Sequence, residues 1–67
     1  MLIKKEKNTA HLAEMIENSP CPVYIILDGE KIELTENRRL LNLFRKYWKL
    51  EDVTEVTLEM ENADFLL

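Results

Sequence analysis

Asp28-Gly29 contains the only glycine of the chain and separates two β-rich segments, residues 23–27 and 30–34. A two-residue Asp-Gly loop supplies the positive φ angles of a type I′ hairpin turn, and a turn of that length fixes the register of the strands it joins. Leu27 should then face Glu30, Ile26 face Lys31, Ile25 face Ile32, Tyr24 face Glu33 and Val23 face Leu34. One side of this hairpin, made by Val23, Ile25, Leu27, Ile32 and Leu34, is almost wholly apolar. The other side mixes Tyr24 and Ile26 with Lys31 and Glu33. A first strand apolar on both sides beside a second that alternates predicts that the first is central and the second an edge.

Helical periodicity flanks the hairpin. Leu12, Met15 and Ile16 form a short apolar stripe after Asn8 or Thr9, either of which can serve as an N-cap, and Pro20 and Pro22 require this helix to stop by Ser19. Thr35 is expected to cap a second helix over residues 36–49. There Leu40, Leu41, Phe44, Tyr47 and Trp48 make a wide apolar stripe, and Arg38, Arg39, Arg45, Lys46 and Lys49 make the polar side basic. Residues 52–61 alternate Thr54, Val56, Leu58 and Met60 against Val53, Glu55, Thr57, Glu59 and Glu61. The valines and threonines favour a third strand, although Val53, Val56, Met60 and Ala63 also fit a helical period. Phe65, Leu66 and Leu67 belong to no assigned element and are candidates for an oligomer contact.

The resulting order, helix, strand, strand, helix, strand, predicts an α+β two-layer fold. It has a small three-stranded antiparallel or mixed sheet in the order 2-1-3, with both helices on one face. A right-handed crossover through the second helix makes strand three parallel to strand two and places it beside strand one. At 67 residues and 8.0 kDa the chain is read as one domain, residues 1–67.

The composition excludes several chemistries. Cys21 alone allows no intrachain disulfide, and with His11 it cannot complete a zinc or iron–sulfur site within one chain, so no metal is expected. One glycine is too few for a phosphate-binding loop or a dinucleotide fingerprint, and no nucleotide cofactor is expected. No local motif supports a Cys or Ser nucleophile with His11, so the chain reads as non-enzymatic. The longest apolar run is too short to span a membrane or to serve as a signal peptide, and the expected compartment is the cytoplasm.

The net charge of -4 conceals a division. Residues 1–50 carry nine bases and seven acids, a balance of +2, whereas residues 51–67 carry six acids and no base. The expected sheet places Glu33, Glu55, Glu59 and Glu61 around Tyr24 and Ile26 on the face away from the helices. Carboxylates on alternate residues of one strand recur about 7 Å apart, near the phosphate spacing of a nucleic-acid strand.

This polarity favours a protein partner with a basic surface. The chain would act as a small acidic inhibitor or adaptor, and as a nucleic-acid mimic if that surface normally holds nucleic acid. Small, acidic, cysteine-poor chains of this type are common among phage and mobile-element products that block host enzymes, anti-CRISPR proteins included. An interface of about 800 Å² would cover nearly a fifth of the ~4,400 Å² surface of such a domain, so a whole face is engaged. Two alternatives use other surfaces. The basic helix with Tyr47 and Trp48 would bind nucleic acid or an anionic membrane, against the pI of about 4.9. A homodimer or other homo-oligomer would cover the leftover apolar groups of a marginal core.

Overall fold

A computed structural model describes residues 1–61. The elements are β1 (Leu2–Lys4), a 3-10 turn (Lys7–Thr9), α1 (Leu12–Glu17), β2 (Val23–Leu27), β3 (Glu30–Glu33), α2 (Arg38–Trp48) and β4 (Glu55–Met60). The protein is α+β, with two α-helices and one antiparallel sheet. That sheet has four strands in the order β1-β4-β2-β3, so the expected three-stranded sheet and the element order beginning with a helix are both corrected.

The additional strand is β1. It pairs antiparallel with the outer edge of β4, Ile3 opposite Val56 and Lys4 opposite Glu55. Three residues are too few to display a strand period, so nothing local marks β1 in the sequence. The chain is then held to the end of α2. Lys5 Nζ donates to the Leu50 carbonyl at 2.6 Å, and Trp48 Nε1 donates to the Thr9 carbonyl at 2.8 Å.

The hairpin has the register set by its turn: Tyr24 opposite Glu33, Ile25 opposite Ile32, Ile26 opposite Lys31 and Leu27 opposite Glu30. Asp28 and Gly29 both have positive φ, 50° and 81°. β2 is central, with β3 on one side and β4 on the other, and both run antiparallel to it. β3 and β4 therefore run parallel to each other across β2. Residues 55–60 are strand, and their burial alternates with Val56 and Leu58 inside and Glu55, Thr57 and Glu59 outside.

Both helix starts differ from expectation. Thr9 closes the 3-10 turn, where its hydroxyl accepts from the Glu6 N–H and donates to the Lys4 carbonyl, both at 2.7 Å. α1 begins only after His11. α2 is capped by Asn37, whose Oδ1 accepts from the Leu40 N–H at 3.1 Å. Thr35 is used in the sheet: its hydroxyl accepts from the Val23 N–H at 3.3 Å and donates to Glu33 Oε2 at 2.9 Å. A hydroxyl within reach of an unpaired strand donor satisfies that donor, and Asn is as good a cap as Thr.

One sheet face carries Ile3, Val56, Leu58, Val23, Ile25 and Leu34, all buried, and it packs against Leu12, Ala13 and Ile16 of α1 and Leu41, Phe44 and Trp48 of α2. Arg45 joins the two helices as a forked clip. Its Nε lies 3.3 Å from Glu14 Oε1 and its Nη2 lies 3.0 Å from Glu17 Oε2, while Nη1 donates to Asn42 Oδ1. No helix among the described residues is long and apolar enough to cross a membrane.

Candidate interaction surfaces

Among the described residues, no layer covers the second sheet face. Strand alternation directs Leu2 and Lys4 of β1, Glu55, Thr57 and Glu59 of β4, Tyr24 and Ile26 of β2, and Lys31 and Glu33 of β3 to this side. Glu59, Tyr24 and Glu33 lie in one row across three strands. Tyr24 and Ile26 are half-buried among their neighbours, and Glu61 follows β4 in an exposed bend. The residues named from the sequence for this surface, Glu33, Glu55, Glu59, Glu61, Tyr24 and Ile26, thus occupy one face and its rim.

Two cations alter its electrostatics: Lys31, which the hairpin register already put on this side, and Lys4, which arrives with β1. Lys4 stands directly opposite Glu55. The Lys31 ammonium reaches diagonally over the Tyr24 ring, 4.3 Å from its centre, to within 3.3 Å of Glu59 Oε2. Glu33 accepts the Thr35 hydroxyl. The face therefore presents four carboxylates and two ammonium groups around an aromatic and aliphatic centre. It remains acidic on balance, but it is interrupted where an even phosphate-like ladder was expected.

On the other layer, α2 carries its basic residues outward. Arg38, Arg39, Lys46 and Lys49 are exposed and make no ion pair among the described residues, whereas Arg45 is held by Glu14 and Glu17. Glu14 accepts its own backbone N–H, and with the adjacent Arg45 guanidinium this holds its carboxyl below the usual carboxylate value. Trp48 is 3% exposed and its N–H is bonded to Thr9, so only Tyr47 of the expected aromatic pair reaches the surface. A burial requirement from the core outweighs the interfacial role read from the Tyr47-Trp48 sequence.

A third surface was not anticipated. Where α2 leaves the hairpin uncovered, Ile25, Leu27, Ile32, Leu34, Leu40, Leu43, Phe44 and Tyr47 line an apolar groove of about 230 Å³. Leu27, Leu43 and Tyr47 are 43%, 56% and 38% exposed on its rim. The sequence signal was present in Leu43, which widens the α2 stripe beyond what one sheet face can cover.

His11 is an exposed residue at the start of α1, and Cys21 is a half-buried free thiol between its two prolines. Among the described residues no group of three metal-ligating side chains converges. Phe65, Leu66 and Leu67 lie outside the described residues. Comparison with protein-family models, curated proteins and solved structures gives no match.

Proposed function

We propose that this chain is a non-enzymatic protein-binding module whose open sheet face occupies a basic site on a larger protein, as an inhibitor or adaptor. The observation that carries the reading is the gathering of Glu33, Glu55, Glu59 and Glu61 around Tyr24 and Ile26 on the side of the sheet away from the helices. An aromatic and aliphatic centre with a charged rim has the anatomy of an interface, in which the centre supplies affinity and the rim supplies steering. Lys4 and Lys31 within the acidic rim suit a partner whose basic groups alternate with acidic ones, and they make the face a poorer imitation of a uniform polyanion. The basic residues of α2 lie on the opposite layer and do not oppose the approach of a basic partner within a Debye length of about 8 Å at physiological salt.

The test is affinity capture from the native cell lysate with the wild-type chain and with a Glu55→Lys, Glu59→Lys, Glu61→Lys variant whose circular dichroism matches it. The reading expects a partner retained by the wild type, released by raised salt and lost to the variant. A partner held equally by both would overturn it.

A further inference from the structure

We propose that the outer edge of β3 pairs with the same edge of a second copy of this chain, joining two four-stranded sheets about a two-fold axis at Ile32. This inference uses the hairpin edge and the groove beside it, and it does not depend on the open-face reading.

Among the described residues β3 is an edge strand whose main chain is used on one side only. The Leu34 N–H donates to the Val23 carbonyl at 2.9 Å, which by strand alternation turns the main-chain groups of Ile32 and Leu34 toward β2. The N–H and C=O groups of Lys31 and Glu33 therefore point away from the sheet, ready for another strand.

Charges on an edge ordinarily keep such strands apart. Here their order does the reverse for one partner. When two β3 strands run antiparallel with Ile32 on the axis, Lys31 stands opposite the partner's Glu33, and Glu33 stands opposite the partner's Lys31. Each of these is a hydrogen-bonded pair that exchanges both N–H···O bonds, and each brings a carboxylate beside Lys31 on the open face, where the ammonium that one copy pairs with Glu59 over Tyr24 is shared with the partner's Glu33. The two Ile32 residues form the non-hydrogen-bonded pair between them, where Cα atoms approach to about 4.5 Å and side chains meet closely. This self-complementary charge order is what an isologous interface needs, the same patch serving both copies.

The groove supplies the apolar share. It continues to the strand edge, because a second cavity lined by Lys31, Glu33, Glu36 and Asn37 shares Ile32 and Leu40 with it. A two-fold axis normal to the sheet keeps both copies of α2 on one side. The exposed Leu43 and Tyr47 of each copy then face the axis and cover what a single copy leaves open.

Sedimentation equilibrium on the full chain tests this with two single variants and their mixture. The wild type is expected to dimerise. Lys31→Glu and Glu33→Lys each place like charges opposite one another in the self-pair, and each should weaken self-association roughly tenfold or more. Mixed in equal amounts they restore opposite charges at both positions, and the mixture should associate to within about threefold of the wild type. Because recovery requires both variants to be folded, a loss caused by misfolding is separated from a loss of pairing. A wild type that stays monomeric at about 1 mM overturns the proposal. A dimer insensitive to both variants, or a mixture that fails to associate, also overturns it.

Discussion

The Lys31 ammonium lies 4.3 Å from the centre of the Tyr24 ring and so covers the aromatic side chain that β2 presents on the open sheet face. The same group pairs with Glu59, the residue opposite Tyr24 on the neighbouring strand. Lysine, tyrosine and glutamate thereby form one cross-strand unit in which the Lys31 and Glu59 side chains are about half exposed, where cation–π and ion-pair contributions are each worth up to about 1 kcal/mol. Replacing Glu59 with Gln should lower stability by less than about 1 kcal/mol, and the difference should vanish in concentrated salt. Urea unfolding at two salt concentrations measures this, and a loss that persists in high salt would show that Glu59 is held by something other than charge.

Helix α2 depends on Asn37 for its first turn. Asn37→Ala removes the acceptor for the Leu40 N–H and should cost about 1 kcal/mol, whereas Asn37→Asp should be nearly neutral. Thermal melts of the two variants decide between a capping role and a merely steric one. Thr35→Val acts at a different place, leaving the Val23 N–H without its partner, and should cost about 1–3 kcal/mol.

Leu58 and Leu12 are fully buried, and Leu58 lies opposite Ile25 at the centre of the sheet. Leu58→Ala should destabilise by about 2–5 kcal/mol, much of what a domain of this size possesses. Leu43→Ala, on the groove rim, should cost far less in a monomer. Equal losses at the two positions, read by denaturant midpoints at low protein concentration, would contradict the assignment of core and rim.

The Arg45 clip gives stability a pH dependence. Glu14 has its carboxyl held below the ordinary value of 4.5, so its contribution is fully present above that value and is lost as pH falls through the lower folded value. Glu14→Gln should flatten the acid side of the stability profile below about pH 4.5 and leave the profile above pH 6 parallel to that of the wild type. Arg45→Met should produce the same flattening in part, because the Glu14 backbone N–H still lowers the carboxyl. An unchanged acid limb in both variants would remove the clip from the account.

These elements also show where the sequence was legible. The hairpin could be read to the residue, since Asp28-Gly29 admits few alternatives and the alternation around it is clean. β4 was legible in its facing, because Glu55, Thr57 and Glu59 can share a side only in a strand. β1 was not legible, since three residues form a strand only by pairing with a β4 edge contributed more than fifty positions later and by burying Ile3 in the core. The acidic face inherits that gap: the facing of its carboxylates follows from strand alternation, whereas the opposing Lys4 depends on β1 and the Lys31 contact depends on the diagonal across Tyr24. Thr35 and Asn37 divide their roles through a tertiary contact, the unpaired Val23 donor, which no local cap preference contains.

The most direct test of the central claim compares two surface variants in parallel capture from the native lysate. One carries Lys at Glu55, Glu59 and Glu61 on the open sheet face. The other carries Gln at Arg38, Arg39, Lys46 and Lys49 on α2. The account predicts that the partner retained by the wild type is lost only to the first variant. Loss to the second alone would move the binding surface to the basic helix and contradict it.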